Sequence, residues 1–192
     1  MKRTLLVAAL AAAVLPLLQG CAPLAVGAAA GGAVMMVGDR RTTGIYIEDE
    51  NIEWKALARI REVAPSAHVN ATSYNRKVLL TGEVASEAEK KRIETETRAV
   101  PSVVDVTNET QVAGASSLAS RGSDSLITSN VKVRMVNNGK FSPNHVKVVT
   151  EAGTVYLMGL VSQAEGDAAA DIARTTSGVT RVVKVFEYIA KP

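Results

Sequence analysis

The most regular pattern of apolar and polar positions in the chain occurs twice. "HVNATSYNRKVLLTGEV" at 68–84 aligns without gaps on "HVKVVTEAGTVYLMGLV" at 145–161, an offset of 77 residues. His68 meets His145, Val78 meets Val155, Leu80 meets Leu157, Gly82 meets Gly159 and Val84 meets Val161. In the first copy Val69, Ala71 and Ser73 alternate with polar neighbours, a turn follows at Asn75-Arg76, and "KVLLTGEV" runs on as a second strand, the pattern of a hairpin. In the second copy the turn is "EAGT", where Gly153 supplies a positive φ.

The sequence on either side of each hairpin repeats as well. "SEAE" at 86 pairs with "SQAE" at 162; a serine followed three residues on by glutamate (Ser86 and Glu89, Ser162 and Glu165) predicts a capping box at the start of a helix in both copies. "VVDVTNETQV" and "VTRVVKVFEYI" supply a closing strand. Upstream, Ile52, Ala56, Ile60 and Val63 keep helical spacing, and "IEWKALARI" aligns with "ITSNVKVRM" from Ile127. Taken alone, "VKVRMV" alternates like a strand; the alignment makes it helix. The expected fold is therefore α+β: two tandem αββαβ units, each a small three-stranded mixed sheet with two helices on one face. The expected bounds are 49–112 for the first unit and 126–192 for the second, joined by a glycine- and serine-rich linker at 113–125. Gly82 and Gly159 are expected to relieve crowding at strand ends.

The first twenty residues follow a different pattern. Lys2 and Arg3 precede an apolar run from Leu5 to Leu18 that is too short to span a bilayer and is broken by Pro16, the layout of a signal peptide over 1–20. Leu18-Gln19-Gly20-Cys21 resembles the lipobox of bacterial lipoproteins, which implies alkylation of the Cys21 thiol with diacylglycerol, cleavage before Cys21, acylation of the new amino group with a fatty acid such as palmitate, and a stable anchor. Cys21 is the sole cysteine, so an intramolecular disulfide is excluded. In such lipoproteins an aspartate after the cysteine retains the protein in the inner membrane; Ala22 here implies sorting to the outer membrane, on its periplasmic face. Residues 21–48 are then the lipid-anchored tether, whose "APLAVGAAAGGAVMMVG" reads either as a flexible leash or as a small-residue helix packing at the membrane.

Paired αββαβ units with "VLLTGEV" and "VYLMGLV" strands, each followed by a helix leading to "VPSVVDV" or "SGVTRV", resemble paired BON domains, and on this leader the chain is similar to the dual BON-domain outer-membrane lipoproteins. At 101–102 the first copy has Pro101-Ser102 where the second has Ser177-Gly178. The resemblance implies a non-enzymatic module that binds phospholipid and supports envelope integrity, with the lipid contact on the first helix of the second copy.

Charge points to the same copy. Without the leader the chain carries 20 basic and 19 acidic residues; residues 50–112 hold nine basic and ten acidic, whereas 126–192 hold eight and five. An anionic surface attracts the second copy at about 1 kcal/mol per well-placed base. On its first helix Ile127, Val131 and Met135 form one stripe, and Leu126, Val133 and Val136 form another, flanked by Lys132 and Arg134. The phospholipid-contact set is therefore Leu126, Ile127, Val131, Lys132, Arg134 and Val136. The second stripe could equally pack on the first copy, and Trp54 is expected to pack either against the other copy, the favoured reading, or against the membrane.

Other chemistry is sparse. His68 and His145 have no second histidine or cysteine near them in sequence, so neither a metal site nor a cofactor is expected. "SEAEKKRIETETR" reads as a solvated helix laced with ion pairs. Aromatic residues make up 4% of the chain, too few for a large aromatic-lined pocket, and no nucleophile-and-base motif or phosphate loop occurs. Neither catalysis nor a small-molecule substrate is expected on these grounds, and nucleic acid is excluded by the envelope location and by the near-neutral charge of the chain without its leader. Two functions remain: a reader of anionic phospholipid at the outer membrane, concentrating where such lipid accumulates, as at division sites; or an adaptor docking on envelope proteins such as the machinery that assembles outer-membrane β-barrels.

Overall fold

The computed structural model describes residues 38–190; Cys21, the leader and the stretch before Gly38 lie outside the described residues. The first repeat runs α1 (Thr43–Val63), β1 (His68–Tyr74), β2 (Lys77–Val84), α2 (Glu87–Arg98), β3 (Asp105–Asn108) and β4 (Gln111–Val112). The second runs α3 (Leu118–Val136), a 3-10 turn (Pro143–His145), β5 (Val146–Glu151), β6 (Thr154–Val161), α4 (Gln163–Arg174) and β7 (Arg181–Tyr188). In each copy the hairpin is antiparallel, and its second strand pairs in parallel with the closing strand. This is the expected mixed αββαβ unit. In the first copy the closing strand breaks at Glu109-Thr110 into β3 and β4, while β7 stays continuous over eight residues.

Strand alternation decides which residues meet the helices. Val78, Leu80 and Val84 of β2 join Ile52, Ala56 and Ile60 of α1 and Ile93 of α2 in one core. Val155, Leu157 and Val161 of β6 join Ile127, Val131 and Met135 of α3 and Ala169 and Ala173 of α4 in the other. Burying each large aliphatic side chain contributes about 2 kcal/mol. Alanine and Gly166 on α4 let β7 come close: a Cβ at Gly166 would stand 3.1 Å from the Tyr188 ring.

The hairpin turns carry consecutive positive φ angles, 53° and 64° at Asn75 and Arg76, and 47° and 73° at Ala152 and Gly153, which match the right-handed twist of the strands. Such angles cost a non-glycine residue roughly 1–2 kcal/mol. Each turn is held by an aspartate on the copy's first helix. Asp49 accepts the N–H groups of Asn75 (2.8 Å) and Arg76 (2.7 Å), and Asp124 accepts those of Ala152 (2.9 Å) and Gly153 (2.8 Å).

Gly82 and Gly159 do relieve crowding. An added Cβ would lie 2.0 Å from the carbonyl oxygen of His68 in one copy and 2.2 Å from that of His145 in the other. Ser102 takes φ 69° where Gly178 takes 87°, so the loop after the second helix bends alike despite the change of residue. The capping box is reciprocal only in the second copy, where Ser162 N–H donates to Glu165 at 2.8 Å. In the first, Ser86 caps Glu89 N–H, but the Glu89 carboxylate takes the N–H of Ala85, one residue earlier.

Two expected boundaries move. α1 begins at Thr43, inside the expected tether, because the Thr42 hydroxyl caps Ile45 N–H; α3 begins at Leu118, inside the expected linker, because Ser117 caps Ser120 N–H. Asp39–Pro192 is one compact unit. The two sheets meet through the faces turned away from their helices, burying Tyr74, Leu79, Tyr156 and Met158. Ion pairs ring this contact: Lys77 to Glu187 (2.6 Å), Lys147 to Glu53 (2.8 Å) and Arg181 to Glu109 (3.3 Å).

Candidate functional site

α3 is oriented by its inward residues. Asp124 ties its N-terminal half to the hairpin turn, Ile127, Val131 and Met135 are sunk in the core, and the Arg134 guanidinium clamps α4 through Ile172 O (2.8 Å), Thr176 Oγ1 (2.6 Å) and Thr175 Oγ1 (2.9 Å). The opposite side is left bare. Leu126, Val133 and Val136 are 69%, 58% and 63% exposed, and Lys132 is exposed beside them. At 100° per residue these positions and Leu118, also exposed, fall within one side of the helix.

The six residues expected to contact lipid therefore separate. Leu126, Lys132 and Val136 share the open face. Ile127 and Val131 do not reach it: at 7% and 0% exposure they are core residues, as the spacing they share with Met135 requires. Arg134 is held against α4. Leu118 was hidden from sequence reading by the linker assignment, although a serine cap three residues before Ser120 was there to be seen. The second stripe does not pack on the first copy, because the copies meet through their sheets.

The corresponding face of α1 bears Ile47 and Trp54, 54% and 71% exposed, among the exposed charges of Glu50, Lys55 and Arg61. Trp54 is thus not an interface residue. The interface role falls instead to Tyr74 and to a segment just before α1. Arg41 lies over the Tyr74 ring (4.0 Å) and the Tyr46 ring (4.9 Å) and pairs with Asp39 (2.7 Å) and Asp49 (2.8 Å). Burial, with the Asp39 carboxylate adding to it, pushes the Tyr74 hydroxyl up to about 12. Arg40 crosses to the second copy, where its guanidinium grips Glu165 at 2.7 and 3.0 Å and Leu160 O at 2.7 Å. That grip holds the Glu165 carboxyl down at about 2. The chain from Asp39 on is docked as a strap across both copies, which overturns its assignment to a tether reaching 48.

His68 and His145 occupy equivalent places, each beside a carboxylate: Glu83 at 2.9 Å from His68 Nδ1, Glu165 at 3.4 Å from His145 Nδ1. His68 and Glu83 also meet Glu151 from the second copy, all three donor atoms lying within 4.8 Å of one another. α2 carries the expected internal pair, Glu94 to Arg98 at 3.2 Å. Among the described residues no helix is long and apolar enough to cross a membrane.

Comparison with known proteins agrees with the repeat. The chain is 40% identical over 177 residues to outer membrane lipoprotein DolP of Haemophilus influenzae, covering 90% of each chain. It is 31% identical over 154 residues to a 21 kDa hemolysin of Actinobacillus pleuropneumoniae (79% of each), and 29% identical over 144 residues to osmotically-inducible protein Y of Escherichia coli (72% of each). The BON domain model matches twice, at 48–114 and 123–190, each match taking in one αββαβ copy apart from the first turn of its first helix, and the chain accordingly belongs to the BON-domain family, with two such domains in tandem.

Proposed function

We propose that this protein is an outer-membrane lipoprotein, acylated at Cys21 and facing the periplasm, whose second BON domain binds anionic phospholipid through the outer face of α3. The similarity to an outer membrane lipoprotein along 90% of the chain supports the location. The observation that carries the lipid reading is the bare stripe of Leu118, Leu126, Val133 and Val136 beside Lys132. From Leu118 to Val136 it extends for about 27 Å at 1.5 Å per residue, and α3 contains a single acidic residue, Asp124, which is buried facing the hairpin turn. An apolar stripe flanked by a base and free of outward acids suits partial insertion at a lipid interface, and the lipid anchor would keep the domain near that surface. Such binding would support envelope integrity and concentrate the protein where anionic lipid gathers, division sites included.

The test is co-sedimentation of residues 38–192 with phosphatidylglycerol and with phosphatidylcholine vesicles, alongside a Leu126→Glu, Val136→Glu variant. Binding that prefers phosphatidylglycerol, weakens in 1 M salt and disappears in the variant is expected. Indifference to both vesicles removes the lipid reading. In that case the adaptor reading takes its place, favoured by Trp54 and Ile47, which stand exposed on the other copy and suit a protein partner.

A further inference from the structure

A cluster of buried acid lies where the two copies meet. Glu83, at the end of β2, and Glu151, at the end of β5, are 7% and 9% exposed, and His68, at the start of β1, sits between them with its side chain 22% exposed. Two carboxylates and one imidazole thus share a space in which one donor atom from each lies within 4.8 Å of the other two. Glu83 accepts Ser116 N–H at 3.1 Å, and Glu151 accepts Asn70 Nδ2 at 3.1 Å. No lysine or arginine among the described residues bonds to either carboxylate; Arg121, in the same open cleft, gives its guanidinium to Ser116 O and Oγ instead. Burial, with the Glu83 charge adding to it, holds the Glu151 carboxyl above its usual range.

The equivalent place in the second copy shows how such a site is balanced. There His145 and Glu165 are accompanied by the Arg40 guanidinium, 2.7 Å from the carboxylate. At His68 the acid is doubled and the cation is missing.

We propose that His68, Glu83 and Glu151 form a divalent-metal site, best matched to zinc, that bridges the two BON domains. One imidazole and two carboxylates form a nitrogen and oxygen donor set that zinc accepts, with bonds of about 2.0–2.2 Å and a fourth position open to the cleft for water. Drawing the donors in from a spread of 4.8 Å to the roughly 3.4 Å edge of a tetrahedron at those bond lengths requires the widest gap to close by at most about 1.4 Å. Ser116 and Asn70 supply the outer hydrogen bonds that orient ligating carboxylates. Sequence reading excluded a metal because no second ligand stands near His68 in the chain; the third ligand comes from the other copy. Because the ligands come from both domains, bound metal would fasten one copy to the other.

The experiment is calorimetric titration of zinc chloride into the full chain in detergent after treatment with chelator, with thermal unfolding measured with and without the metal. One zinc per chain and a raised midpoint reversed by chelator are expected. His68→Gln and Glu151→Gln should each weaken binding at least about tenfold, and His145→Gln should leave it unchanged. Glu151→Gln keeps the side-chain volume and removes a crowded charge, so it folds and decides the matter should His68→Gln fail to fold. Absence of zinc binding in the parent chain, or binding that survives Glu151→Gln, overturns the proposal.

Discussion

α1 and α3 hold the same place in two copies of one fold, and they differ mainly on the side facing away from the sheet. Inward they coincide: Ile52 and Ile127, Ala56 and Val131, Ile60 and Met135 face equivalent cores, and Asp49 and Asp124 hold equivalent turns. Outward, α1 carries four acidic and three basic residues once the inward Asp49 is set aside, whereas the single acid of α3 is turned inward and leaves it three bases. Core packing and turn geometry constrain the inner positions alike in both copies. The outer positions, free of that constraint, have become a charged helix in one copy and an apolar, basic-flanked one in the other.

The inner equivalence breaks most visibly at the aspartates. Asp124→Ala leaves two turn N–H groups without their acceptor and a non-glycine residue in a left-handed conformation, and should cost about 2 kcal/mol in urea unfolding. Asp49→Ala also removes the acceptor of Ser73 Oγ (2.7 Å) and a partner of the buried Arg41, and should cost about 3–4 kcal/mol. Equal losses would mean that the extra partners of Asp49 contribute nothing. The outer difference is sharpened by Lys132→Glu, which reverses one charge beside the α3 stripe and should weaken binding to phosphatidylglycerol vesicles by about 2 kcal/mol at low salt. Trp54→Ala on α1 should leave vesicle binding within about 0.5 kcal/mol of the parent; a larger loss would make the first copy a membrane contact as well.

A pH-dependent effect concerns the strap. The Glu165 carboxyl is held at about 2 against an ordinary 4.5. A depressed carboxyl contributes stability above its unfolded value and loses it as pH falls through the folded one. Arg40→Ala should therefore cost about 1 kcal/mol near neutrality and flatten the fall in stability between pH 4.5 and about 2.

Repetition made the architecture legible. Turn, cap and strand patterns agreed in two places, and the α3 stripe could be drawn from helical spacing once alignment with the first copy had made that segment a helix. Contacts between segments distant in sequence could not be read in this way. Asp49 and Asp124 look like ordinary helix charges until the hairpin turns are placed under them, and Glu151 reaches His68 only across the junction. Leu118 and the Arg40-Arg41 strap were obscured by glycine- and serine-rich surroundings that read as linkers. One further signal was present: "VLL" and "VYLM" are unbroken apolar runs, as in strands buried on both sides, and they mark the sheet faces by which the copies join.

Ion pairs close both ends of that contact: Lys77 at the start of β2 meets Glu187 near the end of β7, and Arg181 at the start of β7 meets Glu109 just after β3. The chain joins two like sheets face to face, as the subunits of a homodimer are joined, within one polypeptide. Severing it between α3 and β4 would not yield two free-standing modules. Each half would carry a bare apolar sheet face already shaped for a copy of its own kind, and would be drawn toward self-pairing.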